Sequence, residues 1–160
     1  MDYLSQVPMT MTLMKAVLAA GTTTTYSTTG TTQYCIKGKA YSKAAVTNGA
    51  TPTTDHTTGA AFLPVSANQG SVYVFSYDAA GTVRVSQGQV LALDSAGLFV
   101  LSPQFPAIPD TDCPFGYLII KAGSTASGTW TFGTNNLSSV TGITYTFVDI
   151  NMLPDRPQVA

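Results

Sequence analysis

Apolar and polar positions alternate along much of this chain, most densely between residues 71 and 101. There Val72 and Val74 share one parity, while Tyr73, Phe75 and Tyr77 share the other. A period of two sends successive side chains to opposite faces of a strand. Strand-like runs at residues 71–77, 82–86, 89–93 and 98–101 are separated by an Asp-Ala-Ala-Gly turn at 78–81, a Gln-Gly break at 87–88 and an Asp-Ser-Ala-Gly turn at 94–97. In such turns the Asp side chain accepts from backbone N–H groups ahead of it, and Gly supplies the positive φ that closes the loop. The pattern predicts four strands in an antiparallel meander. Its two apolar faces cannot both meet water on a monomer. One is expected to pack inward and the other to lie under a second sheet or a neighbouring subunit.

Residues 115–121 form the most continuously apolar run, as a strand buried on both faces would. Trp130 and Phe132 alternate with threonines, and residues 143–150 alternate again. Residues 33–43 read as one strand, or two divided at Gly38. A polar loop occupies residues 46–59. Pro103, Pro106 and Pro109 forbid a central strand over 102–110 and hold an extended surface path, with Phe105 and Ile108 turned toward the core. With about ten short strands, the fold class is all-β: an antiparallel sandwich or barrel, with jelly-roll wiring one arrangement. Residues 1–21 differ. Met9, Leu13, Ala16, Val17 and Ala20 recur at helical spacing before Gly21, while Thr10 and Thr12 weaken a helix, so this stretch is a short N-terminal helix or an extended arm. Residues 22–160 make a single β domain with an extended C-terminal tail.

Hydrophobic residues make up 44% of the chain but charged residues only 9%, and every acid is Asp. Thr favours strands and Asp favours turns, which reinforces the all-β reading. A net charge of −1 with seven scattered cations offers no basic face for nucleic acid. Residues 9–21 are too short to span a bilayer, and Asp2 and Lys15 do not suit a secretory leader, so no membrane partner is expected. So few charges protect poorly against self-association, so either Thr and Ser hydration keeps the surface soluble or, the favoured reading, much of it is normally covered by neighbours.

Candidate chemistry is sparse. His56 is the single histidine and lies in a polar loop without the rigid support a general base requires, so a surface histidine is expected. Asp110 and Asp112 point the same way in an extended segment and would either share a hydrated cation or end turns. Cys35 and Cys113 have no metal or redox spacing and are expected as free thiols. Tyr26, Tyr41, Tyr73, Tyr77 and Trp130 are the aromatics that a sugar-binding face would draw on. No catalytic residue, metal site or cofactor is expected.

A resemblance runs from about Tyr34 onward. Its pieces are Gly-Lys-Ala-Tyr at 38–41, the two Asp-x-Ala-Gly turns and Phe-Pro-Ala-Ile-Pro-Asp at 105–110. Gly-Tyr-Leu-Ile-Ile-Lys at 116–121, Trp-Thr-Phe-Gly at 130–133 and Pro-Asp-Arg-Pro at 154–157 complete it. In this order the chain resembles the capsid decoration or cement proteins of tailed bacteriophages. The resemblance implies a non-enzymatic structural virion protein on the capsid exterior, made in the host bacterial cytoplasm. It further implies a homo-oligomer, expected as a homotrimer, that bridges major capsid protein subunits and stabilises the assembled shell. Val7, Leu13, Met14 and Val17 in the N-terminal segment, and Leu153, Pro154, Asp155 and Arg156 in the tail, are the expected partner contacts. A tail-fibre or receptor-binding head domain that recognises a host surface glycan is the alternative.

Overall fold

A computed structural model describes residues 9–158, and they contain strands but no helix. In chain order the strands are β1 (Met11–Thr12), β2 (Leu18–Ala20), β3 (Tyr26–Thr28), β4 (Thr32–Ile36), β5 (Lys39–Lys43) and β6 (Val46–Gly49). They continue with β7 (Gln69–Tyr77), β8 (Val83–Gln87), β9 (Leu91–Ala92), β10 (Cys113–Ala122) and β11 (Ile143–Asp149). All pairings are antiparallel. A five-stranded sheet has the order β11-β10-β7-β8, with β9 also on β7, and two three-stranded sheets have the orders β1-β4-β5 and β2-β3-β6. The arrangement is sandwich-like, as the alternation predicts.

The run at 115–121 lies within β10, centrally placed between β7 and β11 and buried on both faces. Phe115, Leu118 and Ile120 join Tyr73, Phe75, Tyr77, Trp130 and Phe132 in the main core. Tyr117 and Ile119 join Val72 and Val74 on the opposite face. A bulge between Pro114 and Gly116 lets Cys113 and Phe115 face the same side as Leu118.

The face bearing Val72 and Val74 is covered by the chain itself rather than by a second sheet or a neighbour. Phe99, Phe105, Ile108 and Leu153 pack on it beside Val148 of β11, and the Phe105 ring meets Tyr117 edge-on at 5.1 Å. The proline-held segment thus turns Phe105 and Ile108 inward as predicted. The tail is pinned over the same face, with Pro157 buried and the Gln158 N–H donating to the Tyr117 hydroxyl at 3.0 Å.

One expectation is corrected, and one left open is decided. The four-strand meander is really a hairpin whose second arm is broken: β8 and β9 lie in succession along the same edge of β7. Tyr73 opposes Gln87, whereas Gly70 opposes Leu91, so the partner advances four residues while β7 advances three. The extra residue falls around Gly88, whose N–H bonds the Val72 carbonyl at 2.7 Å and where a Cβ would meet the Gln104 carbonyl at 3.0 Å. The fourth expected strand is only a bridge, Leu93 to Phe99. Of the two readings left open for the N-terminal segment, helix or extended arm, its described part from Met9 takes the extended one. Thr12 is fully buried; its N–H donates to the Asn151 carbonyl at 2.8 Å and its Oγ1 to the Ile150 carbonyl at 2.7 Å. Sheet partners that are distant in sequence outweigh a weak local helical pattern.

A candidate interaction surface and a histidine–aspartate pair

The N-terminal segment is fastened to the domain at several points, and apolar side chains project from it. Leu13 N–H donates to the Gln33 carbonyl at 2.8 Å, Thr29 N–H to the Ala16 carbonyl at 3.2 Å, and Leu18 N–H to Asp149 Oδ1 at 2.9 Å. Ala16 and Leu18 are buried, while Leu13, Met14 and Val17 are 52%, 53% and 47% exposed. Val17 takes φ 54°, a backbone state rare for a β-branched residue. Met9, on the same segment, and Met152, in the tail, are half exposed as well. Val7 lies outside the described residues.

The tail residues expected at an interface divide. Leu153 is half-buried against the second core cluster, whereas Pro154, Asp155 and Arg156 are exposed. Arg156 Nη1 lies 3.4 Å from Ser102 Oγ. Between the two chain ends, Thr10, Lys37, Ile108, Pro109, Met152 and Leu153 border a cavity of about 480 Å³. The structure therefore brings the N-terminal segment and the tail together, with Asn151 Nδ2 donating back to the Thr12 carbonyl at 3.1 Å.

A second cluster escapes sequence reasoning. The loop holding His56 is tied to the edge of β8: His56 N–H donates to the Val85 carbonyl at 2.9 Å. Buried Asp55 accepts from the Gln87 and Thr58 backbone N–H groups at 3.0 and 3.2 Å and from Thr58 Oγ1 at 2.6 Å. His56 is thus held rather than loose, and its Nε2 lies 2.8 Å from Oδ2 of Asp112, whose side chain is 3% exposed. Both border a cleft of about 390 Å³ with Asp78, Arg84 and Thr111. Among the described residues Oδ2 of Asp112 has no hydrogen-bond partner besides this contact, and Thr111 Oγ1 donates to Oδ1 at 3.1 Å. The pair joins the β8-edge loop to the start of β10. Nothing in the local sequence signals it, because only the fold brings residues 56 and 112 together. Asp110 and Asp112 do not converge: Asp110 pairs instead with Lys37 at 2.6 Å. Among the described residues no group of three or more His, Cys, Asp or Glu side chains is placed to hold a metal ion.

Cys35 and Cys113 are free thiols. Burial, with the neighbouring Cys35 adding to it, pushes the Cys113 thiol up to about 12, which leaves it protonated and unreactive at neutral pH. Of the aromatics available to a sugar face, Tyr26, Tyr73, Tyr77 and Trp130 are all core residues. Tyr41 remains half-buried, stacked on Tyr34 at 5.5 Å. No protein-family model matches this chain, and neither a curated protein nor a solved structure does.

Proposed function

We propose that this chain is a structural virion protein that binds the outside of an assembled tailed-phage capsid and bridges major capsid protein subunits. The observation that carries this reading is the row of half-exposed Leu13, Met14 and Val17 side chains on a backbone fastened at Thr12, Ala16 and Leu18. A fixed backbone presents apolar side chains to a partner without the ordering cost that a free arm would incur. Low charge across the chain suits a surface that meets neighbours through hydrogen bonds and small apolar patches. Many copies on one shell convert weak single contacts into avidity. A protein that prefers the assembled lattice to free subunits stabilises the lattice by mass action. The resemblance described above points the same way.

Removing residues 1–21 would strip the contacts of Thr12 and Leu18 and disturb the fold, so surface substitution is the better test. The triple variant L13S/M14S/V17S is expected to fold normally and to bind preformed capsids, assembled from the major capsid protein of the same phage, at least about tenfold more weakly. Unchanged binding removes the N-terminal surface from the account. Binding of the isolated chain to host glycans, with none to capsids, replaces the reading with that of a receptor-binding domain.

A further inference from the structure

The five-stranded sheet has two outer edges, and the chain treats them differently. The edge of β8 is occupied by the loop at residues 55–56, through the bonds of His56 to Val85 and of Gln87 to Asp55. The edge of β9 receives the Val100 N–H at the Ala92 carbonyl. Over residues 143–147 the outer edge of β11 carries no backbone partner among the described residues, while β2 lies beside its Asp149 end. Two bonds at its ends set the parity: Ile150 N–H to the Phe115 carbonyl at 3.1 Å and Gly123 N–H to the Gly142 carbonyl at 2.8 Å. Even-numbered residues of β11 therefore aim their backbone groups at β10, and odd-numbered residues aim theirs outward. The N–H groups of Tyr145 and Phe147 and the carbonyls of Ile143, Tyr145 and Phe147 have no partner among the described residues.

Sheet edges are usually blunted by lysine, proline, a bulge or a covering segment. Edge strand β5 carries Lys39 and Lys43. Among the described residues, β11 has none of these devices from Ile143 to Val148. Its register against β10 runs unshifted from Asp149 opposite Gly116 to Ile143 opposite Ala122, and residues 143–148 contain no charge and no proline.

We propose that β11 pairs antiparallel with β11 of a second copy about a two-fold axis at Tyr145, fusing two five-stranded sheets into one. The strand is complementary to itself in this register. Each Tyr145 exchanges N–H and carbonyl with its counterpart, and each Phe147 N–H reaches the Ile143 carbonyl of the other copy. Exposed Thr144 and Thr146 then face one another across the strands, a favourable cross-strand pair. The only charge on the strand, Asp149, falls opposite a threonine at position 141 of the other copy and already accepts the Leu18 N–H, so no carboxylates are opposed. An isologous pairing of this kind closes on itself and leaves no further β11 edge to extend.

The test uses the full chain in solution. Light scattering over micromolar to submillimolar concentration is expected to show a mass twice the 16.7 kDa of one chain. The double variant T144K/T146K changes only exposed side chains and sets like charges across the pair, so the dissociation constant should rise at least about tenfold. Amide exchange reads the strand directly. Tyr145 and Phe147 should be protected in the wild type and exposed in the variant, while the Val148 amide, directed at β10, stays protected in both. A monomer at every concentration overturns the proposal, as does an oligomer of any size whose Tyr145 and Phe147 amides exchange freely. Protection of those two amides only when capsid is added would assign the edge to the shell and overturn it equally.

Discussion

Asp78 and Asp94 show how far single residues determine this fold. In each turn the aspartate Oδ1 accepts two backbone N–H groups, those of Ala80 and Thr82 or of Ala96 and Leu98, at 2.8–2.9 Å. Gly81 and Gly97 close the turns at φ 74° and 76°. Both turns were legible in the sequence because every participant lies within five residues. Burial alone would raise the Asp78 carboxyl, but the Thr82 and Ala80 N–H groups and the Arg84 guanidinium outweigh it and hold it below its ordinary value. A depressed folded value contributes stability above the unfolded value of about 4, and that stability is lost as pH falls through the lower folded one. Acid unfolding of the wild type below about pH 4 should therefore be steeper than that of Asp78→Asn, as followed by circular dichroism against pH. Equal acid limbs would contradict this. Asp94→Ala, which removes two accepted bonds, should cost about 1–2 kcal/mol in urea denaturation. The His56–Asp112 pair was not legible, since neither residue's neighbours indicate the other.

At the scale of elements, local patterns located the strands but not their partners. β10 was recognisable because seven consecutive positions, 115–121, are nearly all apolar, and only a strand covered on both faces accommodates that. The succession of β8 and β9 along one edge was not recognisable, because a one-residue bulge at Gly88 is decided by contacts with Val72 and Gln104 rather than by its own sequence. The choice between helix and extended arm at residues 9–21 stayed open in the sequence for the same reason: Thr12 and Leu18 find bonds at Ile150 and Asp149. Asp55 holds the loop against β8, and Asp55→Ala should cost about 2–4 kcal/mol and speed exchange of the Gln87 amide, because it strips a buried acceptor from several donors at once. In the main core Phe132 is 1% exposed and packs against Phe62, Tyr73, Phe75 and Trp130. Phe132→Ala should lower stability by about 3–5 kcal/mol, measured by chemical denaturation.

For the whole molecule, the sheets form a scaffold, and the N-terminal segment from Met9 and the tail around Asn151 converge on one region of it. The apolar part of both faces of the central sheet is covered by this chain, which leaves its exposed apolar side chains at rims and edges. The exposed row at Leu13, Met14 and Val17 is one such rim, beside a tail that exposes Met152 and Arg156. The apolar character of Leu13, Met14 and Val17 was legible in the sequence, whereas their exposure and the anchoring of Leu153 in the second core depended on the path of the chain. The most direct measurement is electron cryomicroscopy of the intact particle. Density fitting this β-sandwich over contacts between major capsid subunits, with Leu13, Met14 and Val17 turned to the shell, is the expected result; density confined to a tail-fibre tip, or none on the head, would contradict the account.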